Sequence, residues 1–371
     1  MKSRQWLAVV PMTAALAMGA AACGSSSSSD TGKNSAAGSG GSDSSASGTV
    51  NGAGSTFAAP IYQQWGSDLK KQGITVNYQP VGSGAGVAAL ANKTAEFAGS
   101  DPPLTADDKN SIKTPTIQIP MAIGAITVSY NVSGLQKGLK LDGPTIADIF
   151  MGKVKTWNDP EIARQNPGVN LPSSNITVVH RSDESGTTKG FTTFLSAYSS
   201  EWKSKIGADK TVKWPTGTGA KGNDGVAAAV KQTSGAVGYV EQAYALQNNF
   251  TYADVKNKSG KYVAPTLAST SAAGVGLTIP PDLGVVTIDS PNPAAYPISS
   301  QTFVDVHQDV CKSGMSAGNA KALKAFLNYG LTTGQGVAKQ LFYAPLPANL
   351  LGKSKNEINK IQCNGSSIPA S

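Results

Sequence analysis

The sequence predicts an α/β protein with parallel strands, preceded by an export signal and a tether. Three observations carry this. After residue 48, short β-branched runs alternate with helical spacings, the pattern of strand–helix units. Residues 1–22 have the charged, apolar and small-residue regions of a secretory signal. Between them, from Gly24 to Gly48, the chain is nearly all Ser, Gly, Ala and Asp, cannot bury apolar area, and reads as a flexible tether. Of 371 residues, about 320 remain to fold, which by length is about two domains.

The signal begins with Lys2 and Arg4. Its apolar run from Leu7 to Ala22 is broken only by Pro11, Thr13 and Gly19, and is short for a spanning helix. It ends in Ala20-Ala21-Ala22-Cys23. That ending resembles the lipoprotein signal, in which the Cys becomes the lipidated first residue; Ala20 stands where that signal prefers Leu. Plain secretion is the other reading. Of three Cys, Cys311 and Cys363 are then left over, and outside the cell such a pair usually bonds, two free thiols being the alternative. The net charge is +8, but the Lys are scattered, with no dense basic run and no aromatic interleaving. Solvated faces and a mild attraction for anions fit this better than nucleic acid.

In the folding part, Ile74–Val81 reads as a strand, Gly86–Asn92 as a helix and Glu96–Gly99 as a short strand. Ile117–Tyr130 is long and β-rich, and Thr145–Met151 has helical spacing. Asp159-Pro160 is a good helix start, with Pro in the first turn. Asn175–His180 is a strand that feeds a turn, Arg181-Ser-Asp-Glu-Ser-Gly-Thr187, and then a helix over Thr188–Tyr198. Ala236–Val240 is another strand, and Asn319–Tyr329 an amphipathic helix.

Three helix starts share one chemistry. Gly52–Tyr62 puts Ser55 and Thr56 at the start of a helix, Val81–Val87 puts Ser83 between glycines before the next, and Ser185-Gly186-Thr187 is the third. Each offers a hydroxyl and free backbone N–H groups at the positive end of a helix dipole. One such start is ordinary capping. Three, with Arg181 in one, point to a bound anion. Asp101, after a short strand and restricted by Pro102, adds an acceptor. A carboxylate faces an oxyanion only across a proton. Monohydrogen phosphate has one, its second pKa being on the order of 6–7, and sulfate does not.

At these residues the chain resembles the phosphate-binding proteins of bacterial ABC-type phosphate uptake systems, from about Val50 to about Leu350. The motifs are Gly-Ala-Gly-Ser-Thr-Phe-Ala-Ala-Pro (52–60), Tyr-Gln-Pro-Val-Gly-Ser-Gly-Ala-Gly (78–86), Gly-Ser-Asp (99–101), Gly-Lys-Val-Lys-Thr-Trp-Asn-Asp-Pro-Glu-Ile (152–162) and Val-Val-His-Arg-Ser-Asp-Glu-Ser-Gly-Thr (178–187). The tether and lipid signal resemble Gram-positive, especially actinobacterial, members. The resemblance implies a two-lobe periplasmic-binding-protein fold of type II, its lobes hinged about a cleft. Residues 1–22 would be the signal, 23–48 the lipidated Cys23 and tether, 49–130 with 297–371 the first lobe, and 131–296 the second. It implies phosphate contacts from Ser55, Thr56, Phe57 and Ser83, a proton accepted by Asp101, a charged contact from Arg181, and donors at Ser185, Gly186 and Thr187. Asp183 would brace Arg181. The position of Glu184 is normally Gly in the family, so its side chain either points to solvent or weakens binding by repulsion. A monomer delivering phosphate to a permease and its ATPase, held to the outer face of the cell membrane by its lipid, follows, with no cofactor, metal or enzymatic activity.

Competing readings have weaker support. A binder of another oxyanion such as sulfate is the main alternative, and Asp101 separates the two. Gly314-Met-Ser-Ala-Gly318 has the nucleophile-elbow pattern of a serine hydrolase, such as a secreted phosphoesterase. Yet Val304–Ser313 reads as containing no buried apolar strand leading into it, and both His, His180 and His307, precede Ser316, which suits a helix cap. Gly84–Ala89 fits a loose dinucleotide-binding pattern, but Asp101 comes only about fifteen residues after Gly86, where about twenty is expected. Two His and no clustered acids leave little for a metal site.

Overall fold

The computed structural model describes residues 46–369. The signal, Cys23 and most of the tether lie outside the described residues. A nine-stranded sheet organises the chain. In spatial order its main path runs Ile74–Pro80, Gly48–Gly54, Phe97–Ser100, Ser299–His307, Thr116–Asn131, Ala236–Glu241, Thr177–Arg181 and Thr218–Ala220, with Thr251–Tyr252 also paired to the long strand. The expected parallel pairing holds on both flanks. The centre is antiparallel, because the long strand pairs that way with Ser299–His307 and with Ala236–Glu241.

The long strand, Thr116–Asn131, links the two flanks. Its fourteen interior residues are all buried, which suits its run of Ile, Ala, Val and Met. It pairs with Ser299–His307 up to Ala125, then changes partner to Ala236–Glu241 from Ile126 onward. Pro120 sits inside it at a register shift opposite Thr302 and Phe303, which is where a central strand tolerates a residue that cannot donate.

Elements legible as apolar periodicity appear within a few residues of expectation. The second helix opens earlier, at Ser83, and the helix after Ser185 begins at Gly186. The first helix starts later, at Ala59, because Ser55–Phe57 form the turn before it. Four strands of this sheet escape a pattern search: the short Thr218–Ala220 and Thr251–Tyr252, and two longer ones. Gly48–Gly54 has three glycines in seven residues, and it already takes Gly48 from the tether. Ser299–His307 is wholly buried though mostly polar. Val304–His307 therefore lie in a buried strand, but one that is mostly polar and does not lead straight into the Gly314–Gly318 turn. The strand stops at His307, and a turn precedes Ser316, whose hydroxyl accepts the N–H of Asn319 and caps the helix Ala317–Gly330.

Each flank rests on its own aromatic cluster. Tyr62, Trp65, Tyr78, Phe97 and Phe326 interlock under the first, and Phe150, Phe191, Trp214 and Tyr239 under the second. Among the described residues no helix is long and apolar enough to cross a membrane. Cys311 and Cys363 stand with their sulfurs at bonding distance and their Cα atoms 4.7 Å apart, 52 residues apart in sequence. Closing a loop of that length should stabilise the fold by about 4 kcal/mol. Denaturant unfolding with and without reductant is expected to differ by about that amount, and a Cys363→Ser protein should show no reductant effect.

Candidate functional site

The first half of the site stands at the carboxyl ends of three adjacent parallel strands, where open α/β sheets place their ligands. Gly48–Gly54 runs into Ser55-Thr56-Phe57, Ile74–Pro80 into the helix opened by Ser83, and Phe97–Ser100 into Asp101. Ser55, Thr56, Phe57, Ser83 and Asp101 are all buried. The N–H groups of Thr56 and Phe57 bond no protein acceptor among the described residues. Ser55 differs. Its N–H bonds Gly99 O, its carbonyl accepts from Tyr78, and its hydroxyl accepts from the Ala58 N–H while donating to Asp101 Oδ1 at 2.5 Å. The expectation of a direct anion contact from Ser55 is corrected: its polar groups are already used, and it acts on Asp101.

Asp101 is the acceptor of this half. Thr302 from the polar return strand also donates to its Oδ1, at 3.1 Å, and the Ser83 hydroxyl lies 3.4 Å from Oδ2. Burial raises its carboxyl to about 6, against the hydrogen bonds from Ser55 and Thr302 and the charge of Arg181.

The second half grows from the strand Thr177–Arg181. Arg181 is 3 % exposed. Its Nε donates to Asp183 Oδ1 at 2.7 Å and its Nη2 to Oδ2, so a two-pronged pair fixes the guanidinium plane. Burial pushes the Asp183 carboxyl up, but the hydrogen bonds and charge of Arg181 outweigh that and hold it below the ordinary value. Arg181 Nη1 then points at Thr187 Oγ1, 3.3 Å away. Ser185 caps the helix Gly186–Tyr198, its hydroxyl accepting the Thr188 N–H, which leaves its own proton, and the first N–H groups of that helix, for a ligand.

The halves meet across these groups. A Cβ at Gly186 would lie 2.5 Å from Ser83 Oγ and 2.6 Å from Asp101 Oδ2, so only glycine allows this approach. The Gly84 N–H donates to Glu184 O at 3.1 Å, and Tyr244 donates to the Thr56 carbonyl at 2.7 Å. Glu184 itself does not face the site. Its side chain lies over Gly84, where a Cβ would fall 1.9 Å from Glu184 Cδ, and is half exposed, its Oε1 4.0 Å from Lys210 Nζ. Lys210 makes a nearly buried ion pair with Asp108 at 2.8 Å, and Asp108 is held in turn by the capping box of the helix Ala106–Ile112.

Sequence reasoning passed over four contributors: Asn223, Lys210, Asp108 and Thr302. Asn223 is fully buried and bonds both Thr56 and Thr187. It opens the helix Gly222–Gln232, and Gly222-Asn-Asp-Gly225 before an Ala/Val run is a turn-and-helix signal that pointed there. As a whole the site is a buried ring of N–H, hydroxyl and guanidinium donors with one carboxylate acceptor.

That fold and that donor ring define a solute-binding protein, and comparison with known proteins agrees. A family profile described as a PBP superfamily domain matches residues 39–333. The chain belongs to the family of the phosphate-binding protein PstS. It is 41 % identical over 309 residues to "Phosphate-binding protein PstS" of Pasteurella multocida, covering 82 % of this chain and 88 % of that one. It is 33 % identical over 384 residues to "Phosphate-binding protein PstS3" of Mycobacterium bovis, covering 97 % and 100 %. The fold matches a high-affinity periplasmic phosphate-binding protein, PfluDING, solved with phosphate, with a TM-score of 0.67 at 23 % identity over 83 % of this chain and 93 % of that one.

Two outcomes follow from this geometry. Because the folded-state value of Asp101, about 6, lies above its ordinary 3.8, protonation favours the fold; the contribution is full below about pH 4 and lost as pH rises through about 6. Ligand-free Asp101→Asn protein is therefore expected to be more stable than wild type at pH 7.5, by up to about 3 kcal/mol in denaturant unfolding, with the gap closing at pH 4. Lys210→Ala removes an ion pair that spans the halves. Stopped-flow should show ligand release faster by about tenfold, with association little changed.

Proposed function

We propose that the protein captures inorganic phosphate outside the cytoplasm and delivers it to an ABC transporter permease driven by its ATPase. The observation that carries this reading is Asp101, the buried acceptor in a ring of donors. Such a ring with one acceptor fits a tetrahedral anion that keeps one proton, and it sets a carboxylate against sulfate, which has none. The Thr56 and Phe57 N–H groups, the hydroxyls of Thr56, Ser83, Ser185 and Thr187, the N–H groups of Gly186 and Thr187, and Arg181 would hold the remaining oxygens. Phosphate is also the ligand named for the relatives.

The cleft would lie between a lobe of residues 49–130 with 297–371 and a lobe of 131–296. The change of partner along the long strand supports that division, since Ser299 pairs with Ala125 and the other flank begins opposite Ile126. Export, lipidation at Cys23 and a tether to residue 48 would keep a monomer at the outer face of the membrane, beside its permease. A disulfide between Cys311 and Cys363 fits that compartment.

Binding without chemistry is the reading the side chains support. Ser316 caps a helix. The His307 nitrogens are taken by Thr114 and the Leu90 carbonyl. His180 stacks on Trp214 and bonds the Arg181 carbonyl. Both nitrogens of His307 are thus occupied, and His180 has its Nδ1 on a backbone carbonyl and its ring face on Trp214.

Calorimetry on stripped protein is expected to give tight phosphate binding and negligible sulfate binding; comparable affinities would defeat the Asp101 argument. Arg181→Ala should weaken phosphate by about 100-fold or more, as befits a buried charged contact. Glu184→Gly should leave it unchanged or slightly tighter, because that side chain faces Gly84 and solvent. Mass spectrometry of gently purified protein should find phosphate.

A further inference from the structure

A threonine hydroxyl has one proton and two lone pairs and rotates to suit its surroundings. At an anion site its direction matters, because a hydroxyl that turns its proton away presents a lone pair to the anion instead. One residue fixes that direction on both sides of this site. The Asn223 backbone N–H and Nδ2 both donate to Thr56 Oγ1, at 3.2 and 2.8 Å. The other Nδ2 proton donates to Thr187 Oγ1 at 3.2 Å, where Arg181 Nη1 also donates at 3.3 Å. Each hydroxyl oxygen thus receives two N–H groups, which fill its lone pairs. Its own proton has only the cleft side left.

The amide is itself held one way round. Asn223 Oδ1 accepts the Glu241 N–H at 2.9 Å, which the amide nitrogen cannot do. The side chain is completely buried, out of competition with solvent. Its place is set from outside as well: Asp183, the brace of Arg181, accepts the N–H of the preceding Gly222 at 3.0 Å.

We propose that Asn223 is a positioning residue for anion capture, committing the Thr56 and Thr187 hydroxyls, one from each half, to donate to the ligand. On that face the anion then meets donors alone, and the role of sole proton acceptor falls to Asp101 opposite. The proposal rests on the phosphate reading for the identity of the anion, but the hydroxyl directions do not depend on it.

Two measurements test it. Neutron diffraction from deuterium-exchanged crystals, with or without ligand, should show both hydroxyl deuterons directed away from Asn223 and both Nδ2 deuterons on the threonine oxygens. A hydroxyl deuteron aimed at Asn223 overturns the proposal. In solution, Asn223→Ala should weaken phosphate binding by about tenfold or more in the wild-type background. In a Thr56→Val/Thr187→Val background, where no hydroxyl remains to orient, it should cost less than about twofold. Equal losses in both backgrounds would mean that Asn223 merely packs, and would overturn the proposal. If Asn223→Ala does not fold, the neutron arm decides. Failure of the wild-type protein to bind phosphate would sink the phosphate reading alone, since the deuteron positions would still stand or fall by themselves.

Discussion

A buried guanidinium has to be paired, and the pairing of Arg181 sets the geometry around it. Asp183 takes two of its nitrogens, so the fork cannot rotate and the third nitrogen is aimed at Thr187. The same carboxylate accepts the N–H of Gly222, whose φ of +73° turns the chain into the helix Gly222–Gln232. That turn brings Asn223 between Thr56 and Thr187. One acid next to the charged residue therefore fixes the charge, the start of a helix and the amide that joins the halves.

The pairing also limits how much charge the site presents. Asp183 offsets part of the charge of Arg181, and what else the site offers an anion is the fixed dipoles of helix N-termini and a set of hydroxyls. Asp101 adds an unfavourable element, because a buried carboxylate resists ionisation and stands close to where an anion would lie. Such a group weakens binding of every tetrahedral anion that cannot donate to it, and the fold itself bears a cost in keeping it ionised. Such a group suits a site where discrimination matters more than raw affinity.

Much of this was legible in the sequence, for a physical reason. Hydroxyl and glycine clusters that directly follow apolar strands are conspicuous, so Thr56, Ser83, Asp101, Arg181 and the Ser185–Thr187 turn could be named from spacing and residue type. Ser55 was named too, but its bond to Asp101 depends on side-chain direction. The strand Ser299–His307 was hidden because it is mostly polar yet wholly buried: Thr302 bonds Asp101, while the buried side chains of Gln301 and Asp305 meet no hydrogen-bond partner among the described residues. A local turn signal marks the helix start at Asn223, but its role, like that of the Lys210–Asp108 pair, lies in contacts across 36 to 167 positions of sequence, which no local pattern records.

Glu184 shows how a local objection dissolves in three dimensions. An acid beside an anion site, at a position where the resemblance leads one to expect glycine, reads as repulsion. The structure supplies the missing space on the other side: Gly84 has no side chain, and the acid lies over it. There the cation within ion-pair reach of it is Lys210 at 4.0 Å, while Lys210 grips Asp108 at 2.8 Å. Attraction falls with distance and with exposure, so the half-exposed Glu184 competes only weakly for that lysine. Its effect therefore falls on the lysine that pairs with Asp108, and leaves the ring of donors untouched.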